Sequence, residues 1–313
     1  RFVDLSGWHA CSALPLDRVI DQAFAGIDLE RELPIVTGYA HCAEGLMTTF
    51  DRGYSEMTFS RIAVITGAQE AIIHKEYHLS TADPAVVNEK HIVPIGRTNY
   101  DVADQLANLG MEAIHPRAAK GLRRNGIPLR IKNTFEPRHS GTLITSDYTS
   151  SNACVEIIAG RKHVHALELF DQDMVGKVHD YEQRLLELFK RFRARVITKD
   201  VNANTITHYL DTNLKTVKRV MRAIKESYPE AETEHRKVAV VSAIGSDMQV
   251  PGLLARAVKA LAEASISVVA MHQSMRQVDM QFIVDEEDYA EAIRSLHGSL
   301  IEPHNYVEAI CAA

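Results

Sequence analysis

The residues best suited to chemistry are gathered in one stretch, Thr48-Thr49-Phe50-Asp51-Arg52-Gly53-Tyr54-Ser55-Glu56-Met57-Thr58. It follows an apolar segment, Pro34-Ile35-Val36, and a break at Gly38. It precedes a run that reads as a helix, roughly Met57 to Thr66. A turn between a strand and a helix is where an α/β protein aims exposed N–H groups at an anion. Arg52 adds a planar cation suited to a carboxylate or a phosphate. Ser55 and Glu56 stand where an N-cap and a first-turn acid would stand. Taken alone, the stretch is either an anion-binding turn or a capped helix with a surface arginine.

The elements around it must hold it in place. A helix near Asp17–Ala25 and a buried strand at Leu33–Thr37 come before it. A strand at Ala71-Ile72-Ile73-His74 comes after it, then a loop at Leu79-Ser80-Thr81-Ala82-Asp83-Pro84, marked by its Asp-Pro step. Val102, Leu106 and Leu109 are spaced four and three apart and predict a helix from Tyr100 that stops at Gly110. A short helix opens at His115-Pro116, where Pro suits the first turn. Short strands follow at Ile127–Ile131 and Gly141–Ile144. Helices alternating with short apolar strands indicate a layered α/β domain with a mostly parallel sheet.

Residues 145–153 are small and polar and read as a linker. Beyond them the pattern changes. A strand at Val164–Phe170 leads to a helix carrying Val178, Tyr181, Leu185, Leu188 and Phe192; strands at Arg195–Thr198 and Thr205–Leu210 and a helix with Leu214, Val217, Met221 and Ile224 follow. The same order recurs from Val238–Ile244, through a helix around Leu253–Leu261 and strands Ile266–Met271 and Met280–Val284, to a helix around Tyr289–Leu296. Two passes of strand-helix-strand-strand-helix predict two ferredoxin-like α+β units.

Composition narrows the classes of function. A length of 313 residues fits two domains or slightly more. A net charge of −6 argues against a general nucleic-acid binder, and Arg123-Arg124 and Lys190-Arg191 read as solvated helix faces. No apolar run reaches the ~18 residues of a membrane span. Cys11, Cys42, Cys154 and Cys311 are far apart and make no Cys-x-x-Cys pair, which fits a reducing, cytoplasmic setting and gives no zinc motif. The chain starts with Arg in what reads as the middle of a fold, so an N-terminal part is expected upstream.

Five pieces now stand in order: Thr48-Thr49-x-x-Arg52-Gly53-x-Ser55-Glu56, Ser80-Thr81-Ala82-Asp83-Pro84, Gly110-x-x-Ala113-Ile114-His115-Pro116, Ile127-Pro128-Leu129 and Gly141-Thr142-Leu143-Ile144. In this order and spacing they resemble the C-terminal part of the aspartate kinase catalytic domain, of the amino-acid kinase fold. Residues 154–313 resemble the tandem ACT regulatory domains of the same enzymes, with Pro251-Gly252 before a helix and Ile266-Ser267-Val268 after it. The resemblance implies an α/β chain in which residues 1–146 are the C-terminal part of a three-layer kinase domain and residues 154–313 are two ferredoxin-like α+β ACT domains.

Departures from the family pattern stand out. The usual loop Gly-Arg-Gly-Gly-Ser-Asp is here Asp51-Arg52-Gly53-Tyr54-Ser55-Glu56. The usual Thr-Asp at the end of the next strand is His74-Lys75, the Lys before the His-Pro motif is Glu112, and the Arg after Asp-Pro is Ala85. These changes resemble the divergent aspartate kinases found with ectoine biosynthesis. The family's Lys-x-Gly-Gly-Thr-Ser phosphate loop is absent from these residues, which implies that they are inactive by themselves.

The resemblance implies phosphoryl transfer from ATP to the side-chain carboxylate of L-aspartate. Magnesium would be carried by ATP phosphates and water. Thr48, Thr49, Arg52 and Ser55 would hold aspartate, with Arg52 on its α-carboxylate and Glu56 orienting its ammonium. His74, Lys75, Ser80 and Asp83 would lie on the nucleotide side. Ser246, Asp247 and Val250, in the loop Gly245–Gly252 before a helix N-terminus, would meet an effector such as lysine or threonine; the same loop is equally a plain connection. Exposed strand edges imply a homodimer through the ACT units. Other readings are a kinase acting on glutamate or N-acetylglutamate, and a non-catalytic amino-acid-binding regulatory fragment. Trp8 reads as packing. His163 and His165 alternate along a strand start and are either a metal pair or a solvated sheet edge.

Overall fold

A computed structural model describes residues 1–7, 14–46, 53–111 and 114–303. The first part opens with β1 (Phe2–Val3), α1 (Leu16–Phe24), β2 (Ile35–Val36) and α2 (Tyr54–Ile65). β1 and β2 pair in parallel, Phe2 opposite Ile35. The strand expected to be buried at Leu33–Thr37 is shorter and mostly exposed: Leu33 is 79% and Ile35 63% accessible. Alternation explains the difference. Only Val36 turns inward, onto the cluster of Val3, Leu5, Leu16 and Ile20.

A four-stranded sheet follows, built from β3 (Ala71–Lys75), β4 (Arg97–Asn99), β5 (Leu129–Asn133) and β6 (Thr142–Thr145) in the order β3-β5-β6-β4. β3 runs parallel to β5 and β4 parallel to β6, while β5 and β6 are antiparallel. α2, α3 (Tyr100–Asn108) and α4 (Pro116–Arg124) pack on one face, where Ala63, Tyr100, Ala103 and Ala118 meet Ala71, Leu129, Ile131 and Ile144. The cap of α3 is local: Asn99 accepts the Val102 N–H at 3.0 Å.

The second part is one continuous antiparallel sheet of six strands. Its elements are β7 (Ile157–Phe170), α5 (Val178–Phe192), β8 (Arg195–Val201), β9 (Thr205–Asp211), α6 (Leu214–Ser227), β10 (Glu232–Ile244), α7 (Leu253–Glu263), β11 (Val268–Gln273), β12 (Asp279–Asp285) and α8 (Tyr289–Leu300). The strand order is β11-β12-β10-β7-β9-β8. The two passes therefore join through their first strands, β7 and β10, and Val164 stands opposite Val238. Each pass uses the other's first strand as its own neighbour, so the two repeats share one sheet.

Each half of the sheet carries its own helix pair. Tyr181, Leu185 and Leu188 of α5 and Val220 and Ile224 of α6 pack with Leu167, Leu169 and Ile206. Leu253, Ala257 and Leu261 of α7 and Ile293 and Leu296 of α8 pack with Val241, Phe282 and Val284. Alternation sends Val238, Val240, Val164 and Tyr209 to the opposite face. There they meet Val102, Leu106 and Leu109 of the first part. Fully burying such a side chain is worth about 1.5–3 kcal/mol, so α3 is a shared wall between the two parts. Asp101, in the first turn of α3, ties it to both parts, to Arg123 at 2.8 Å and to Arg276 at 2.7 Å. No helix among the described residues is long and apolar enough to cross a membrane.

Candidate functional site

α2 begins where the chain approaches α4 too closely for any side chain. Gly53 is its N-cap, in the left-handed region at φ 79, and a Cβ there would lie 2.8 Å from the His115 ring. Glycine alone satisfies both the angle and the space. The N-cap is thus Gly53, and Ser55 sits inside the first turn instead of capping it. Ser55 faces Gly38, whose added Cβ would stand 3.0 Å from Ser55 Oγ. The start of α2 thus lies between the Gly38 backbone and the His115 side chain.

Glu56 joins two of the motif pieces and the end of β3. Its Oε1 accepts from Lys75 Nζ at 3.2 Å, and its Oε2 accepts the backbone N–H of His115 at 2.5 Å. Lys75 is the last residue of β3. His115 is the N-cap of α4, where its Nδ1 accepts the Arg117 N–H at 3.3 Å and Pro116 follows as the first helical residue. Both oxygens of Glu56 are therefore engaged by the protein. Through these contacts Glu56 links the Lys75 ammonium to the start of α4.

Strand alternation separates the two residues expected together on the nucleotide side. Ala71, Ile73 and Lys75 share the face that meets the helices, whereas His74 lies on the opposite, exposed face. Ser80 bridges to Pro94, and Asp83 accepts the Ala85 N–H at 2.8 Å, closing its own turn. That turn is carried on the second part. Ala82 and Val87 join the core of α7 and α8, and Thr81 Oγ1 pairs with the buried His297 Nε2 at 3.0 Å. Thr48, Thr49 and Arg52 lie outside the described residues, as do Trp8, Asp51, Glu112, Cys11 and Cys311.

The loop Gly245–Gly252 is occupied by the chain's own linker. The buried Glu156 carboxylate accepts the Ser246 N–H at 2.8 Å and the Ser246 hydroxyl on Oε1, and the Thr98 hydroxyl at 3.0 Å on Oε2. Ser150 N–H donates to Ser246 Oγ, and Cys154 N–H to the Asp247 carbonyl. Asp247 Oδ1 accepts the Gln249 N–H at 3.0 Å. The Val250 N–H donates to the Met248 carbonyl at 2.7 Å, which completes the turn. Burial pushes the Glu156 carboxyl above its usual range, against the hydrogen bonds that favour its charge. A cavity of about 650 Å³ lies elsewhere, on the sheet face away from the helices, and is lined by Glu168, Asp200, Thr207, Tyr209, Glu234 and Arg236.

His163 and His165 do not form a pair. β7 bulges between them and its neighbour on β10, and His163 takes φ 60. His163 Nδ1 then meets Glu286 at 2.5 Å, while His165 turns inward and contacts His235 at 2.7 Å. β7 is a central strand, so the solvated-edge reading also fails. Burial holds His165 and His235 below the usual histidine pKa.

Comparisons with known proteins match the two parts separately. The amino acid kinase family model covers residues 6–133, and an ACT domain model covers residues 241–300. Aspartate kinase Ask_Ect of Stutzerimonas stutzeri is 58% identical over 313 residues, which is 100% of this chain and 66% of that protein. Aspartokinase 1, chloroplastic, of Arabidopsis thaliana is 28% identical over 293 residues, 89% of this chain and 50% of that one. The chain thus spans between half and two thirds of these relatives. Among solved structures, Clostridium acetobutylicum aspartate kinase shares the fold with a TM-score of 0.79 at 20% identity, covering 96% of this chain and 68% of that one. E. coli aspartokinase III in complex with lysine and aspartate does so with a TM-score of 0.75 at 18% identity, covering 96% and 69%.

Proposed function

The chain belongs to the aspartate kinase family, and on that footing we propose that the whole protein transfers the γ-phosphoryl group of ATP to the side-chain carboxylate of L-aspartate, giving 4-phospho-L-aspartate. The observation that carries this reading is the meeting of Glu56 and His115, from two separate motif pieces, with Lys75 at the end of β3. Phosphoryl transfer asks little covalent help of a protein. It needs two anions held in line and their charge neutralised.

In this reading Arg52 grips the α-carboxylate of aspartate. Ser55 and the first-turn N–H groups of α2 complete that pocket. Lys75, anchored on one side by Glu56, turns its remaining N–H donors toward the phosphates, at the carboxyl end of β3 where open α/β sheets bind ligands. Magnesium enters with ATP. The test is hydroxamate trapping with the full-length protein: aspartyl hydroxamate forms only with ATP present. Turnover of glutamate in place of aspartate, or no turnover, would overturn the assignment.

Finer features belong to the same proposal. The His74-Lys75 and Glu56 departures support the ectoine-pathway type over the lysine and threonine branch. Residues 154–313 are proposed as the regulatory and dimer-forming half of a cytoplasmic enzyme, responsive to an amino acid such as lysine or threonine. Because Glu156 and the linker occupy Ser246, an effector reaching the Gly245–Gly252 loop would compete with a contact that also touches Thr98 of the first part. That supports a route from effector to kinase sheet.

A further inference from the structure

His78, Glu136 and His139 converge just beyond the carboxyl ends of β3 and β5, and one ligand atom from each lies within 4.8 Å of the others. His78 Nε2 is 3.4 Å from Glu136 Oε1, and His139 Nε2 is 3.2 Å from Glu136 Oε2. The two imidazole rings stand 5.2 Å apart. We propose that these three residues form a binding site for one divalent transition metal ion of the Zn²⁺ class.

Three observations lead there. The first is the spacing. Metal–ligand bonds of about 2.0–2.1 Å at a tetrahedral angle set neighbouring ligand atoms about 3.3 Å apart. The two histidine–carboxylate separations bracket that value. The second is polar satisfaction. Both ring nitrogens of His78 and Nδ1 of His139 are buried without a hydrogen-bond partner, because the 3.4 Å approach to Glu136 falls outside hydrogen-bonding geometry. A buried imidazole with neither nitrogen paired is costly, and a metal bond to one nitrogen removes part of that cost. His208 is likewise unpaired, but no acid joins it in a three-ligand cluster among the described residues.

The third observation is the support behind the acid. Asn133, the last residue of β5, donates from Nδ2 to Glu136 Oε1 at 3.0 Å and accepts the Phe135 N–H at 2.9 Å. This fixes the carboxylate from behind, as outer partners of metal ligands do. Two imidazoles and a carboxylate favour Zn²⁺, Co²⁺ or Ni²⁺ over Mg²⁺, which prefers an all-oxygen shell. Three protein ligands leave a coordination position open. The ion would pin the segment after β3 to the turn after β5. The proposal is independent of the kinase reading, and its test contains no nucleotide.

The test is a titration of the EDTA-treated full chain with Co²⁺, followed by the visible d–d absorption and by calorimetry, with Zn²⁺ as competitor. One equivalent should bind and be displaced by Zn²⁺. Glu136→Gln and His139→Ala should each weaken binding at least about tenfold, and Asn133→Ala, acting through Glu136, about tenfold. His163→Ala should leave binding unchanged. Glu136 and His139 lie on a solvent-facing turn, so circular dichroism of their variants should match the parent and exclude unfolding. Absence of a stoichiometric site, or unaltered affinity in both Glu136→Gln and His139→Ala, would overturn the proposal.

Discussion

Lys75 Nζ stands 3.2 Å from Glu56 Oε1, and both residues are departures from the family pattern that the motif pieces resemble, which has Asp at each position. The two departures answer one another. A lysine at the end of β3 brings a cation where the pattern has an acid, and the longer Glu56 reaches it while keeping its hold on His115.

Removing either partner should cost more than removing both. Each side chain is about one quarter exposed, 27% for Lys75 and 25% for Glu56, so solvent screens part of the attraction. Lys75→Met and Glu56→Gln, with the double variant, should show a coupling of roughly 1 kcal/mol in urea unfolding. Strict additivity of the two variants would contradict the pair's role.

Gly53→Ala should be more damaging than an ordinary surface change. The left-handed angle alone costs about 1–2 kcal/mol for a residue with a Cβ. The close approach to the His115 ring adds to it and displaces the start of α4. The expected result is a loss of at least about 1 kcal/mol in unfolding free energy. A neutral outcome would mean that the two helix starts are not held in this geometry.

Burial of His208 should make the protein acid-sensitive. Desolvation lowers its pKa from 6.5 to about 4. Between these values the unfolded chain binds a proton that the folded chain refuses, so stability falls as pH drops from about 6.5 toward 4 and is unaffected by this group above that window. The full effect is about 3 kcal/mol. His208→Leu, which keeps an apolar body against Phe189, should flatten the dependence of stability on pH in that window. An unchanged slope would place the acid sensitivity elsewhere.

Glu156 should be the most sensitive single position of the junction. Glu156→Ala strands the Ser246 N–H and the Thr98 hydroxyl and should cost roughly 2–3 kcal/mol, whereas Glu156→Gln, which keeps the shape, should cost less. Urea unfolding decides it. A loss below about 0.5 kcal/mol for Glu156→Ala, the range of ordinary surface changes, would remove Glu156 as the link between the parts.

Much of the fold is legible in periodicity. The helix at 178–192 follows from apolar residues three and four apart, and the recurrence of Val164 at Val238 marks two residues that face each other across the sheet centre. The early part of β7 is not legible, because Gly160-Arg161-Lys162-His163 reads as a break and the bulge there disturbs alternation. The site is only half legible. Motif order places Glu56, Lys75 and His115 on one chain, but only the fold shows Glu56 facing Lys75 and His74 turned away. Glu156 has partners 58 and 90 residues distant, and His78 stands 58 residues before Glu136, so no local pattern marks either.

The most direct measurement is a pair of Michaelis constants on the full-length protein, with aspartate and ATP varied separately. Loss of a charged hydrogen-bonded contact costs about 1.5–3 kcal/mol, or roughly tenfold to over a hundredfold in kcat/KM. Arg52→Ala should raise the KM for aspartate to that extent and leave the KM for ATP nearly unchanged. Lys75→Met should do the reverse. An unchanged aspartate KM in Arg52→Ala, or equal effects of both variants on both substrates, would contradict the assignment of Arg52 to the substrate carboxylate and of Lys75 to the phosphates.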